Sequence, residues 1–186
     1  MIHILDKSKC CGCAACIQRC PKQCITLNID NEGFSYPVVD AALCIDCGLC
    51  EKVCPFLNPY DKREPQRTFA AYNTQEDVRM QSSSGGIFSL LAENVFNEEG
   101  VVFGARFDEN WQVVIDYTES KEGLAAFRGS KYVQAKTGDT FRQCETFLKA
   151  GRKVLYTGTP CQVAGLKSYL HKDYEKLITV DLLCHG

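Results

Sequence analysis

The chain has 186 residues, 45% hydrophobic and 24% charged, with a formal net charge of -2. That length and mixture describe one or two globular domains with a real core, and both signs of charge are interspersed, which excludes a basic stripe for nucleic acid or an anionic membrane surface. No apolar run approaches the roughly 18 residues that span a bilayer, and the opening Met1 to Lys7 is too short for a secretion signal, so the expected location is cytoplasmic.

Thirteen cysteines would suggest disulfides in a short secreted chain, but clustered spacing without a signal favours thiolates that hold metal. The first run reads Cys10-Cys11-Gly12-Cys13-Ala14-Ala15-Cys16-Ile17-Gln18-Arg19-Cys20-Pro21, and the second reads Cys44-Ile45-Asp46-Cys47-Gly48-Leu49-Cys50-Glu51-Lys52-Val53-Cys54-Pro55. Both are C-x2-C-x2-C-x3-C-P. Each motif cysteine and proline of the first run recurs 34 positions later, an internal repeat that implies two half-units related by a local two-fold axis.

Three thiolates at two-residue gaps wrap three corners of a cuboidal cluster, and the remote fourth cysteine reaches across to the other cluster. The spacing therefore predicts two 4Fe-4S clusters, one held by Cys10, Cys13, Cys16 and Cys54 and the other by Cys44, Cys47, Cys50 and Cys20. Zinc usually takes four ligands as two separated C-x2-C pairs, which would leave the third and fourth cysteines of each run unexplained. Gly12, Ala14, Ala15 and Gly48 are small where backbone must approach inorganic sulfide, and Pro21 and Pro55 stop the helical turn before them. Cys11 and Cys24 face Ile45 and Asn58 at the repeat offset and read as packed thiols. His3 and His171 look incidental.

Between the runs, Cys24 to Ile29 and Phe34 to Val39 read as two strands joined through Asp30-Asn31-Glu32-Gly33, a hairpin floor beneath the clusters. A first domain over 1–58 is expected, then a charged, proline-containing linker over 59–67, then a second domain over 68–186. Ser82-Ser83-Ser84-Gly85-Gly86 precedes a helical face of Ile87, Leu90, Leu91 and Val95, which gathers hydroxyls and bare amides where an anion can sit. Val101 to Phe107 and Val113 to Tyr117 read as an antiparallel hairpin. Lys131 could face a bound phosphate, although a solvated lysine is the commoner fate.

Thr140 to Ala150 has a helical apolar face that includes Cys144, which reads as core, and Gly151 closes it before the strand Val154 to Thr157. The strand runs into Gly158-Thr159-Pro160-Cys161, with Thr159 as cap and Pro160 in the first turn of a helix. Leu177 to Leu183 then reads as a buried parallel strand reached by a right-handed crossover. Ligands of open parallel sheets bind beyond the carboxyl ends of strands, so Thr157, Gly158, Thr159, Cys161, Cys184 and His185 form the expected active edge. At a helix N-terminus, Cys161 should have a depressed pKa. The predicted class is α+β: a small two-cluster ferredoxin-like domain, then an α/β domain with a mixed, partly parallel sheet.

The tandem motifs, followed by Ser84-Gly85-Gly86, Gly129-Ser130-Lys131-Tyr132, Thr157-Gly158-Thr159-Pro160-Cys161-Gln162 and Cys184-His185-Gly186, resemble the family of coenzyme F-420 hydrogenase/dehydrogenase beta subunits. The resemblance implies a flavoprotein relay in which electrons pass between the two clusters, a bound FAD and a deazaflavin or other small redox partner. By that analogy Ser84, Gly85, Gly86, Lys131, Thr157, Gly158 and Thr159 would hold flavin phosphate, and Cys161, Cys184 and His185 would lie near the reacting ring or an additional cluster. Members continue beyond the strand at which this chain stops, so a fragment with an open sheet edge, prone to oligomerise, is expected. Weak or absent FAD binding is expected with it. The competing function is a stand-alone ferredoxin-like carrier whose second domain docks a partner protein.

Overall fold

The computed structural model describes residues 1–60 and 64–184. His185 and part of the expected linker lie outside the described residues.

Each cysteine run forms a loop and then one short helix, α1 (Ala15–Arg19) and α2 (Leu49–Lys52). The backbone repeats along with the cysteines. Gly12 and Asp46 have φ of 65° and 49°, and Ala14 and Gly48 have φ of 62° and 70°, so both pairs of left-handed positions stand 34 residues apart. Glycine adopts this region without the steric cost that a Cβ brings, which gives Gly12 and Gly48 a conformational reason beyond small size. Between the runs, β1 (Ile25–Ile29) and β2 (Ser35–Val39) pair antiparallel, with Ile25 opposite Val39. The Asp30 carboxylate closes their turn by accepting the Glu32 and Phe34 amides at 3.0 Å each.

The rest of the chain supplies α3 (Glu76–Met80), α4 (Ile87–Phe96), β3 (Val101–Phe107), β4 (Val113–Thr118), α5 (Thr140–Lys149), β5 (Val154–Gly158), α6 (Pro160–Leu170) and β6 (Leu177–Asp181). The sheet order is β4-β3-β5-β6, with β3 antiparallel to β4 and parallel to β5, and β5 parallel to β6. The architecture is thus α+β with a mixed sheet, as the patterns indicate. Two local expectations are corrected. β6 is an edge strand ending at Asp181, and Leu182 and Leu183 are 62% and 89% exposed, because it pairs on one side only. In α4 the buried positions are Ser89, Ala92 and Val95, while Leu90 is exposed. The helix is rotated so that small residues meet the sheet and Phe88, Leu91 and Phe96 flank them.

Alternation along the strands feeds two faces. Val102 and Leu155 pack on α4, Leu124 and Phe127. Val101, Phe103, Ile115, Val154 and Tyr156 pack on Phe141, Cys144 and Leu148 of α5 and Val163, Leu166 and Leu170 of α6, and the same core takes in Cys13, Ala15 and Val53 from the cysteine runs. The cysteine loops and the sheet region therefore share apolar burial, which orients one against the other.

A polar contact fixes the same junction. Buried Gln18 of α1 presents Oε1 to the amides of Phe141 at 2.9 Å and Arg142 at 3.3 Å. These amides belong to the first turn of α5, where no intrahelical acceptor exists, and Asp139 makes no side-chain cap. Gln18→Ala should cost about 1–3 kcal/mol, since it strands two amides at a buried helix end. A urea-denaturation midpoint equal to that of the unsubstituted protein would refute this role.

Candidate functional site

A cavity opens beside β1 and α2, lined by Cys20, Cys44, Cys47 and Cys50 together with Cys24, Gly48 and Ile25. The first run thus contributes its last motif cysteine to a pocket otherwise built by the second run. Amides of Ile2 and Asp46 donate to Cys50 Sγ at 3.3 Å and Cys44 Sγ at 3.4 Å. Cys20 is desolvated, which by itself would push its thiol up, yet the amides of Cys24, Lys22 and Gln23 and the Cys24 thiol together hold it below the usual thiol range. Cys24 is buried, with its sulfur 3.4 Å from that of Cys20. The amino group of Met1 is bound to Asp46 at 2.7 Å, which pushes it up to about 10 and pins the N-terminus over this pocket.

Of the remaining motif cysteines, Cys13 packs in the sheet-side core, while Cys16 and Cys54 pack with Cys20, Cys44 and Cys50 around Ile2 and Cys24. Burial is the main cause that pushes Cys16 up to about 12, and the nearby sulfurs of Cys10, Cys54 and Cys50 add to it. Cys10 is raised by burial and by Cys54, with the Gly12 amide opposing. Cys13 is buried against α6, where a Cβ on Gly165 would lie 3.0 Å from both its Cβ and its Sγ. Crowded, desolvated thiols of this kind suit a multinuclear centre that deprotonates them on binding. Among the described residues no three His, Cys, Asp or Glu side chains converge on a single-ion point; Cys20, Cys44, Cys47 and Cys50 line a cavity instead. Eight motif cysteines could hold two 4Fe-4S clusters in this arrangement.

The strand ends carry a different set of groups. Gly158 pairs with Asp181, and the Leu182 amide donates to the Gly158 carbonyl at 2.9 Å, so Cys161 and Cys184 lie at the same sheet edge. Cys184 is exposed. The expected depressed pKa of Cys161 is overturned: its thiol is pushed well up, chiefly by a hydrogen bond with Cys11 and then by burial, which outweigh the Thr159 hydroxyl and the Gln162 amide. Cys11, expected to be a packed thiol, is exposed instead.

Three of the groups expected to hold phosphate already have partners within the protein. Thr157 Oγ1 donates to the Phe103 carbonyl at 2.8 Å, and the Thr159 amide donates to Gln162 Oε1 at 2.9 Å. Lys131 Nζ donates to the carbonyls of Ala126 and Arg128 at 3.2 and 2.8 Å. Gly85 packs so tightly under Ala71 that a Cβ would lie 2.8 Å from its carbonyl oxygen, and the Asn73 amide donates to the Gly85 carbonyl at 2.6 Å. Gly86 is the left-handed cap of α4, and Ser84 is exposed. As arranged, this set does not fit FAD phosphate.

Residues 9–58 match the 4Fe-4S dicluster domain, and residues 68–140 match the N-terminal domain of the coenzyme F-420 hydrogenase/dehydrogenase beta subunit. The chain thus carries a 4Fe-4S dicluster domain followed by a match to the N-terminal domain of the coenzyme F-420 hydrogenase/dehydrogenase beta subunit. The dicluster domain makes it an iron–sulfur electron-transfer protein. The F(420)H(2) dehydrogenase of Methanosarcina mazei has a subunit that is 24% identical over 197 residues, covering 98% of this chain and 55% of that protein. The chain therefore spans about half the length of that curated relative. A 7Fe ferredoxin of Hydrogenibacillus schlegelii is 45% identical over 42 residues, 23% of this chain and 47% of the ferredoxin. A structure of the F-420-reducing nickel–iron hydrogenase complex of Methanosarcina barkeri aligns at a TM-score of 0.49 and 24% identity, covering 61% of this chain and 42% of that one.

Gln18 and Gly165 escape a reading of the sequence by motif alone. Gly165 had a signal, since a glycine inside the helical pattern after Pro160 marks close approach of another backbone. Gln18 had none, since its partners lie 123 and 124 residues away.

Proposed function

We propose that the chain is a directional electron relay: cluster two, held by Cys20, Cys44, Cys47 and Cys50, exchanges electrons at the N-terminal surface, and cluster one, held by Cys10, Cys13, Cys16 and Cys54, passes them toward the sheet edge. The observation that carries this reading is the asymmetry of burial. Cys47 is exposed and its pocket is rimmed by exposed Ile45, while Cys13 is buried in the core shared with α5 and α6. The iron–sulfur centres supply one-electron transfer when bound; the protein's part is to hold them close and to give the two different surroundings. Residues 1–58 form the cluster domain in this reading, 59–67 the link, and 68–186 the domain that presents electrons to a redox partner.

The family resemblance supports a flavin- or deazaflavin-type partner, and the relative's name supports work within an assembly of subunits. The second reading, a carrier whose α/β domain docks a partner protein, is favoured by one observation: Lys131, Thr157 and the Thr159 amide already have internal partners. No step is therefore routed through FAD on this chain. The test is iron, acid-labile sulfide and flavin content of protein purified without oxygen and incubated with FAD. About eight iron and eight sulfide per chain are expected, without stoichiometric flavin. Bound flavin would restore the flavoprotein reading, and zinc in place of iron would overturn the relay.

A further inference from the structure

A second cavity, of about 160 Å³, opens between the β1–β2 hairpin and the segment that follows Tyr132, and its walls include Gly12, Leu27, Ile29, Val133, Gln134 and Lys136. Room of that size holds on the order of ten waters, or one bicyclic ring in their place. None of the residues expected to hold flavin lines it, neither Ser84, Gly85 and Gly86 nor Lys131, Thr157, Gly158 and Thr159. One wall is the loop that carries cluster one. Gly12 sits between Cys10 and Cys13 with φ of 65°, and a Cβ there would collide with Gln134 Nε2. Glycine is therefore required on both grounds, and the loop meets the cavity as bare backbone.

The lining also selects a chemistry. Leu27, Ile29 and Val133 are apolar, and among the described residues that line the cavity Lys136 alone is charged. Gln134 Oε1 already accepts the Ser35 amide at 3.1 Å, so the end of that side chain left to a ligand is its amide donor. Lys136 Nζ donates to Gln112 Oε1 and has further N–H groups to spare. These side chains offer donors and positive charge, which suits a flat, apolar molecule whose polar atoms are acceptors and which bears a negative group.

We propose that this cavity binds an anionic quinone-class carrier and is the place where electrons leave cluster one. The binding stands on the cavity; the electron route rests on the relay reading above. An oxidised quinone is planar, its carbonyl oxygens only accept hydrogen bonds, and it can take electrons singly from an iron–sulfur centre. Gln134 Nε2 donates to a carbonyl oxygen, and Lys136 faces the negative substituent. Reduction consumes two electrons, one from each reduced cluster, and two protons from solvent: both C=O groups become C–OH, the ring becomes aromatic, and both clusters return to their oxidised state. A one-electron donor at the surface of cluster two then reduces them again.

The test uses the anaerobically purified, iron-loaded protein, with naphthoquinone sulfonate as the probe and unsubstituted naphthoquinone beside it. Equilibrium dialysis of the oxidised protein should find about one sulfonate bound per chain. Stopped-flow mixing with the dithionite-reduced, desalted protein should show cluster reoxidation whose rate saturates with quinone. Lys136→Glu should raise the half-saturating concentration of the sulfonate about tenfold and that of the neutral quinone by less than about twofold. Val133→Trp, at an exposed position of the wall, should abolish binding of both; unchanged iron content shows that each variant folds. A rate that rises linearly with quinone, or saturation and binding unmoved by either variant, overturns the site while leaving the relay standing. Displacement of the sulfonate by equimolar FAD overturns the quinone assignment in favour of a flavin. Sulfonate bound without cluster reoxidation overturns the exit of electrons at this cavity. Protein without iron overturns the relay and the electron route with it, and the dialysis then decides the cavity alone.

Discussion

Cys20→Ala and Cys47→Ala should each leave about four of eight iron atoms per chain, and the two together should leave no fewer than either alone. Cys20→Ala combined with Cys10→Ala should leave almost none. The reason is the cavity, which collects Cys20 from the first run with Cys44, Cys47 and Cys50 from the second. If each run instead held its own cluster, Cys20 and Cys10 would act as one unit and Cys20 and Cys47 as two. Iron content together with the electron-spin resonance spectrum of the reduced protein decides the matter. Two reduced clusters interact magnetically and a lone one does not, so each single variant should show a simple spectrum. An additive loss for Cys20 with Cys47 would mean that the cavity does not mark the ligand set.

The repeat was legible because cluster geometry acts through short loops: motif cysteines, left-handed positions and helical turns all recur at one offset. The sheet was legible for a similar reason, since the run from Val154 through Pro160 to Leu177 carries strand, cap and strand signals in local order. What escaped is contact between distant segments. Nothing near Gln18 announces that its amide oxygen completes α5, and nothing near Lys131 announces that the carbonyls of Ala126 and Arg128 engage its ammonium. Cys161 shows the limit most clearly. A helix N-terminus alone argues for a lowered pKa, but a neighbour from the opposite end of the chain reverses the direction.

Phe141→Ala should be the most damaging substitution outside the cysteine motifs, at about 3–5 kcal/mol, a large part of the roughly 5–15 kcal/mol that folds a domain. Its ring is fully buried, 5.9 Å from that of Tyr156 and 6.1 Å from that of Tyr169, and its amide is the one that Gln18 caps. It also faces Gly165, where an added Cβ would lie 3.3 Å from Phe141 Cε2 and 3.0 Å from Cys13. Gly165→Ala should therefore lose about 1–3 kcal/mol by overpacking, less about 1 kcal/mol gained in helix propensity. Removing the Phe141 ring makes room for α6 to shift, so the double variant should be less destabilised than the sum of the two by about 0.5–3 kcal/mol. The same core holds Cys13 and no other motif cysteine, while Cys16, Cys20, Cys44, Cys50 and Cys54 pack in a separate cluster around Ile2, Cys24 and Ile25. Phe141→Ala should thus hasten loss of the half of the visible absorbance that depends on Cys13 more than loss of the other half under an iron chelator. Uniform acceleration of both halves would mean that the two centres are released by one global unfolding step, and that burial against α5 and α6 does not distinguish them.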